Sequence, residues 1–166
     1  MYKINDIVIY KNEGVCKISD IVIKSFKDKE IEYYVLKPVY KENSEIFVPK
    51  NNAELVSRMR EVLSKEEIIT LIKAMPQEDD IWIEDENQRK EQYKLLIKNG
   101  DSTELIRLIK TLFKHKEKQK EAGKKIHITD ERFFKDAEAI LYDEFAYVLG
   151  ISQNQVVPFI IEQLEN

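Results

Sequence analysis

The chain has 166 residues, 43% hydrophobic and 35% charged, with a formal net charge of −4. That is one compact domain or two small ones. It is too apolar for a disordered chain, and no apolar run approaches the roughly 18 residues of a membrane helix. The single cysteine, Cys16, excludes an intrachain disulfide, and the opening MYKINDIVIYK lacks the apolar core and cleavage site of a signal peptide. The chain therefore reads as a cytoplasmic protein.

The first 50 residues read as strands. DIVIYK is apolar and β-branched, VCKISDIVIKSF alternates over much of its length, and EIEYYVLKP and SEIFVPK complete the set. Turn signals separate them at Asn12-Glu13-Gly14, Lys27-Asp28-Lys29 and residues 41–44. Four or five short antiparallel strands must curl into a small barrel or cover one face with a helix. Cys16 sits within a strand pattern as a small buried hydrophobe.

From about Glu54 the period changes to that of helices. SKEEIITLIKAM offers Ser64 and Glu67 as a capping box, and Met75-Pro76 ends it. The acidic stretch QEDDIWIEDE, with the only tryptophan, Trp82, follows as a loop. NQRKEQYKLLIKNG is a second helix stopped at Asn99-Gly100. Asp101 caps a third helix with Glu104 at the reciprocal position. Thr129 is expected to cap a fourth, which stops at Gly150. Ser152 and Gln155 form a further capping box before a short last helix, whose Pro158 predicts an irregular first turn. About five helices with short connections make a bundle.

Charge is segregated in this half. Residues 86–125 carry 12 basic and 6 acidic side chains, between segments that each carry a net −4 (56–85) and −6 (126–166). Such blocks either pair internally or present a surface to an anion. Arg107, Lys110 and Lys114 recur at helical spacing opposite Leu105, Leu108 and Leu112. A phosphate-facing stripe and a solvated helix face share that pattern. The signatures of enzymes are missing. The glycines, at 14, 100, 123 and 150, fall at turns and helix ends, so no phosphate-cradling loop exists. His115 and His127 are isolated, and His115 lies among lysines. No metal-ligand or nucleophile–base spacing occurs. No catalytic residue, cofactor, metal or small-molecule substrate is expected.

The residues converge on one family. DIVIYKNEGVCKISDI, YYVLKP and IFVPKNN, followed by YKLLIKNGDSTELIRLIKTLFKHK, resemble the CarD/CdnL transcription regulators over essentially the whole chain. Asn5 stands where members commonly have glycine, and Lys11 where they have proline. The resemblance implies an α+β protein. Residues 1–55 would be a Tudor-like five-stranded antiparallel β-barrel, shared with the transcription-repair coupling factor, and residues 56–166 a bundle of about five helices. It implies that the barrel docks on the RNA polymerase β subunit by adding strand to strand, at positions matching Glu45, Ile46, Phe47 and Val48, with Lys24 nearby. It implies that the bundle contacts promoter DNA and modulates open-complex stability, with Trp82 as the candidate wedge and Arg89, Lys90, Lys110, Lys114 and Lys116 facing phosphates. The alternative is a protein–protein interaction or oligomerisation module without DNA contact.

Overall fold

The computed structural model describes residues 1–11 and 13–166. They form two compact units, Met1–Leu63 and Ser64–Asn166. The sheet unit thus runs past the boundary at residue 55 read from the sequence, because a fifth strand follows the first helical turn.

The strands are β1 (Ile7–Tyr10), β2 (Gly14–Phe26), β3 (Lys29–Pro38), β4 (Ile46–Pro49) and β5 (Met59–Glu61), and α1 (Ala53–Val56) precedes β5. They pair in the order β4-β3-β2-β1-β5, every neighbour antiparallel. The turn read at residues 12–14 lies partly outside the described residues, since it includes Asn12. Its end is visible: Gly14 adopts φ +78°, open to glycine without cost, and pairs with Tyr10. The β2–β3 hairpin turns on Lys27 and Asp28, both left-handed, in the two-residue form whose twist suits a hairpin.

The main core cluster of the sheet is Val8, Tyr10, Cys16, Ile18, Tyr34, Leu36, Val48 and Met59, and Ile9, Val15 and Val35 are buried as well. Tyr2, Leu55 and Val56 pack against that cluster. The expected barrel is therefore corrected in one respect. β4 and β5 are the two edges and do not pair among the described residues, so the sheet is open. The chain between them folds into α1, which lays Leu55 and Val56 on the core. A register shift between Ile18 and Asp20 interrupts the β2 alternation. Beyond it the hairpin runs out into solvent, leaving Ile23 and Phe26 exposed. Cys16 is fully buried and burial pushes its thiol up to about 11, which makes it an inert hydrophobe. Asn5 has φ +78° while its N–H donates to the Ile18 carbonyl at 2.7 Å. Asparagine tolerates this conformation better than most side chains.

The second unit holds α2 (Lys65–Ala74), α3 (Glu86–Asn99), α4 (Ser102–Glu121), α5 (Ile128–Leu149) and α6 (Val156–Glu165). The Ser64–Glu67 box forms reciprocally, at 3.1 and 2.7 Å. Asp101 caps α4 through the Glu104 N–H, but the Glu104 carboxylate turns instead to Arg107 at 3.2 Å. Gly100 and Gly150 end α3 and α5 in the left-handed conformation. The Ser152–Gln155 box opens a 3₁₀ turn that leads into α6, the irregular start expected there. The cap of α5 differs from expectation. His127, not Thr129, is the N-cap, and its side chain makes no capping bond. Asp130, which occupies the position that would complete a box, is drawn inward by a partner on α3.

Candidate interaction surfaces

Among the described residues β4 has a strand on one side only, and such an outer edge offers backbone groups for pairing. Period-2 alternation sorts the residues singled out there. Val48 is 0% exposed and Ile46 packs on the sheet core, whereas Phe47 points to the other face and is 39% exposed. The Lys24 ammonium lies 3.8 Å from the Phe47 ring centroid, and Tyr33 meets the same ring edge-on at 6.4 Å. Glu45 pairs with Lys37 at 3.7 Å, both exposed. The fold thus brings Lys24 and Phe47 together and adds Tyr33, which the sequence reading missed. Tyr33 lies in the alternating run EIEYYVLKP, but which of its two tyrosines faces outward depends on register. Tyr34 is the buried one.

The second surface is the loop of residues 78–85 with Trp82. It has no regular backbone ladder, and side chains from two helices, α3 and α4, hold it. The Lys110 ammonium donates to the carbonyls of Met75, Pro76 and Glu78 at 2.8, 3.1 and 2.8 Å. Arg107 pairs with Glu78 at 2.7 Å. Thr111 accepts from the Ile81 N–H at 3.1 Å, and the Tyr93 hydroxyl donates to the Ile81 carbonyl at 3.0 Å. Burial raises the pKa of that phenol, which keeps it a donor.

Arg89 is the centre of this arrangement. It is 3% exposed and donates through Nε and Nη2 to both oxygens of Asp130, at 2.9 and 3.0 Å. Nη1 donates to the Ile83 and Glu84 carbonyls at 2.9 and 3.3 Å. Arg89, one of the residues expected to face phosphate, is thus buried and engaged by partners inside the helical unit. The stripe of Arg107, Lys110 and Lys114 is likewise broken, since Arg107 and Lys110 bind the loop. Lys90 pairs with Glu86 at 3.1 Å and Lys116 with Glu131 at 3.2 Å, in exposed pairs of little energetic weight. Lys114 is exposed and makes no ion pair among the described residues. Contacts inside the chain thus engage Arg89, Lys90, Arg107, Lys110 and Lys116 of the basic block.

Trp82 is half-buried. Its ring stacks on His115 with centroids 3.8 Å apart and planes 21° apart, and the Arg89 guanidinium carbon lies 4.4 Å from its centroid. The indole N–H donates to Glu84 at 3.1 Å. Burial holds the His115 pKa below the ordinary 6.5, so the stacked ring is neutral at neutral pH. Asp130 and His115 carried no signal of this role in the sequence.

Among the described residues no group of three His, Cys, Asp or Glu side chains is placed to hold a metal ion, and no helix is long and apolar enough to cross a membrane. Residues 2–62 match the family model described as CarD-like/TRCF RID domain, and residues 67–160 match the one described as CarD, C-terminal domain. No curated protein matches the sequence. The two matches fall one on each compact unit and together span nearly all of the chain. The chain belongs to the CarD-like family of non-catalytic, RNA-polymerase-interacting transcription proteins.

Proposed function

We propose that this protein is a bacterial transcription regulator, acting in the cytoplasm, that binds the RNA polymerase β subunit through its N-terminal Tudor-like unit. Its helical unit contacts promoter DNA at the upstream edge of the melted bubble and modulates open-complex stability. The observation that carries the reading is the β4 edge: a strand with one free side, flanked by the Lys24–Phe47–Tyr33 cluster. Strand addition supplies affinity from backbone hydrogen bonds, and the neighbouring side chains supply specificity. Of the residues expected to face phosphate, Lys90, Lys114 and Lys116 are free to reach it or cheaply released to it, while Trp82 is the apolar surface at the bubble. Affinity for free DNA is weak, because the net charge is −4 and the loop is acidic; polymerase supplies the effective concentration.

The test is a pull-down of the purified chain against the β-subunit lobe, wild type beside Phe47→Ala and Lys24→Glu. Both changes sit on the exposed face, so folding is retained and circular dichroism checks it. Loss of binding in both variants supports the docking edge. Undiminished binding in both sinks it. A second reading, a protein–protein module without DNA contact, is favoured by the exposed stripe of Val157, Ile161 and Leu164 on α6. Concentration-dependent sedimentation of the pure chain would support it.

A further inference from the structure

A tryptophan on an acidic loop without a backbone ladder would ordinarily be mobile. Here the loop and the ring are held separately. Thr111 accepts from the Ile81 N–H and Tyr93 donates to the Ile81 carbonyl, and Arg89 binds the carbonyls of Ile83 and Glu84. Those contacts bracket Trp82 in the chain. The ring is then fixed by His115 on α4, Arg89 on α3 and Glu84 in the loop itself.

The choice of an ion pair to join α3 to α5 is informative. Burying arginine and aspartate costs desolvation that their attraction only roughly offsets, and two leucines would pack as well. Leucine could not donate to two loop carbonyls or lay a planar cation beside an indole. All of these contacts use the guanidinium's fixed fork, which a lysine would not reproduce. Asp130 is 1% exposed and takes both of its bonds from Arg89, so it sets the plane of that fork.

We propose that Arg89 and His115 are positioning residues that seat the Trp82 indole, with Asp130 orienting Arg89, so that the tryptophan is ordered before any DNA arrives. The inference rests on the reading of Trp82 as a DNA-contacting residue, but the seat can be measured without DNA or polymerase. Order in the free protein matters because a ring already held loses less freedom on binding.

Trp82 is the only tryptophan, so intrinsic fluorescence, acrylamide quenching and near-UV circular dichroism report on it alone. His115→Ala removes the stack and His115→Phe keeps a ring in its place. Asp130→Asn tests the orienting bond. A stacked aromatic pair shifts the ratio of seated to unseated indole by a factor of roughly 2–10. His115→Ala is therefore expected to raise acrylamide quenching and to diminish the near-UV signal, and His115→Phe to restore both towards wild type. Unchanged quenching and near-UV signal in folded His115→Ala would overturn the seat. The DNA reading fails separately. If Trp82→Ala leaves the open-complex lifetime of a promoter–polymerase complex unchanged while the quenching results hold, the seat stands and its purpose at DNA is overturned. If Trp82→Ala alters that lifetime and His115→Ala alters it in the same direction, with rescue by His115→Phe, both stand.

Discussion

The β4 edge and the Trp82 loop solve opposite problems. At the edge the backbone is regular, and β4 has no strand partner on its outer side among the described residues. In the loop the backbone is irregular, and its polar groups near the helices are already bound by Lys110, Thr111, Tyr93 and Arg89. One surface leaves its backbone open at the edge, whereas the other has its backbone groups bound by side chains. The lesson concerns charge. At the edge Lys24 stays outside on an aromatic ring, whereas in the loop three of the basic residues, Arg89, Arg107 and Lys110, are spent on architecture.

That contrast can be broken most severely at Asp130. Asp130→Ala leaves the Arg89 charge buried without its carboxylate, and about 3–5 kcal/mol of helical-unit stability should be lost in urea unfolding followed by Trp82 fluorescence. The paired change Arg89→Leu with Asp130→Leu sharpens the point. It should recover much of that loss while the near-UV signal of Trp82 stays diminished, because apolar packing replaces the pair but not the seat. Equal recovery of both signals would show that the ion pair serves packing alone.

Changes at the edge should show in binding and leave stability nearly untouched. Phe47→Ala is expected to weaken association with the β lobe by about tenfold, the weight of one exposed aromatic with its cation, with stability shifting by less than about 0.5 kcal/mol. Calorimetric titration beside urea unfolding checks both halves. A smaller effect is expected at Asn5. Asn5→Ala should cost about 1 kcal/mol because alanine resists φ +78°, while Asn5→Gly should be neutral or stabilising. Equal stability of the two variants would show that the conformation carries no strain.

The pH dependence of the loop is the finest discriminator. His115 faces Asp130 from α5, His127 from the α5 N-cap, Arg89 from α3, and Glu84 from the loop, and burial makes its folded pKa lower than its unfolded one. The unfolded chain therefore takes up the proton more readily as pH falls through about 6.5, the ordinary histidine value. The stabilisation from the neutral ring is complete above that value and is lost as pH drops below it. His115→Phe should flatten this part of the stability–pH curve. A curve identical to wild type would mean that another group titrates there.

Much of the fold was legible because it rests on local physics. The strand alternation of residues 6–49, the Ser64 box, the Asp101 cap and the stops at Gly100 and Gly150 are decided by neighbours within a few residues. The free edge at residues 46–49 was legible only through resemblance, since strand order is a non-local property. β5 escaped because three residues show no periodicity, and only pairing with Val8, Ile9 and Tyr10 makes them a strand. The openness of the sheet escaped for the same reason.

The deepest division lies in the basic residues. By itself the sequence determined that cations cluster between residues 86 and 125 and that acids flank them. Which of them face water was decided only in three dimensions. Arg89 meets Asp130 across 41 positions of chain, and Arg107 meets Glu78 across 29. A charge looks the same in a sequence whether it is solvated or buried. Its burial becomes favourable only when folding delivers a partner and enough acceptors to the same place, and that delivery is the work of the bundle.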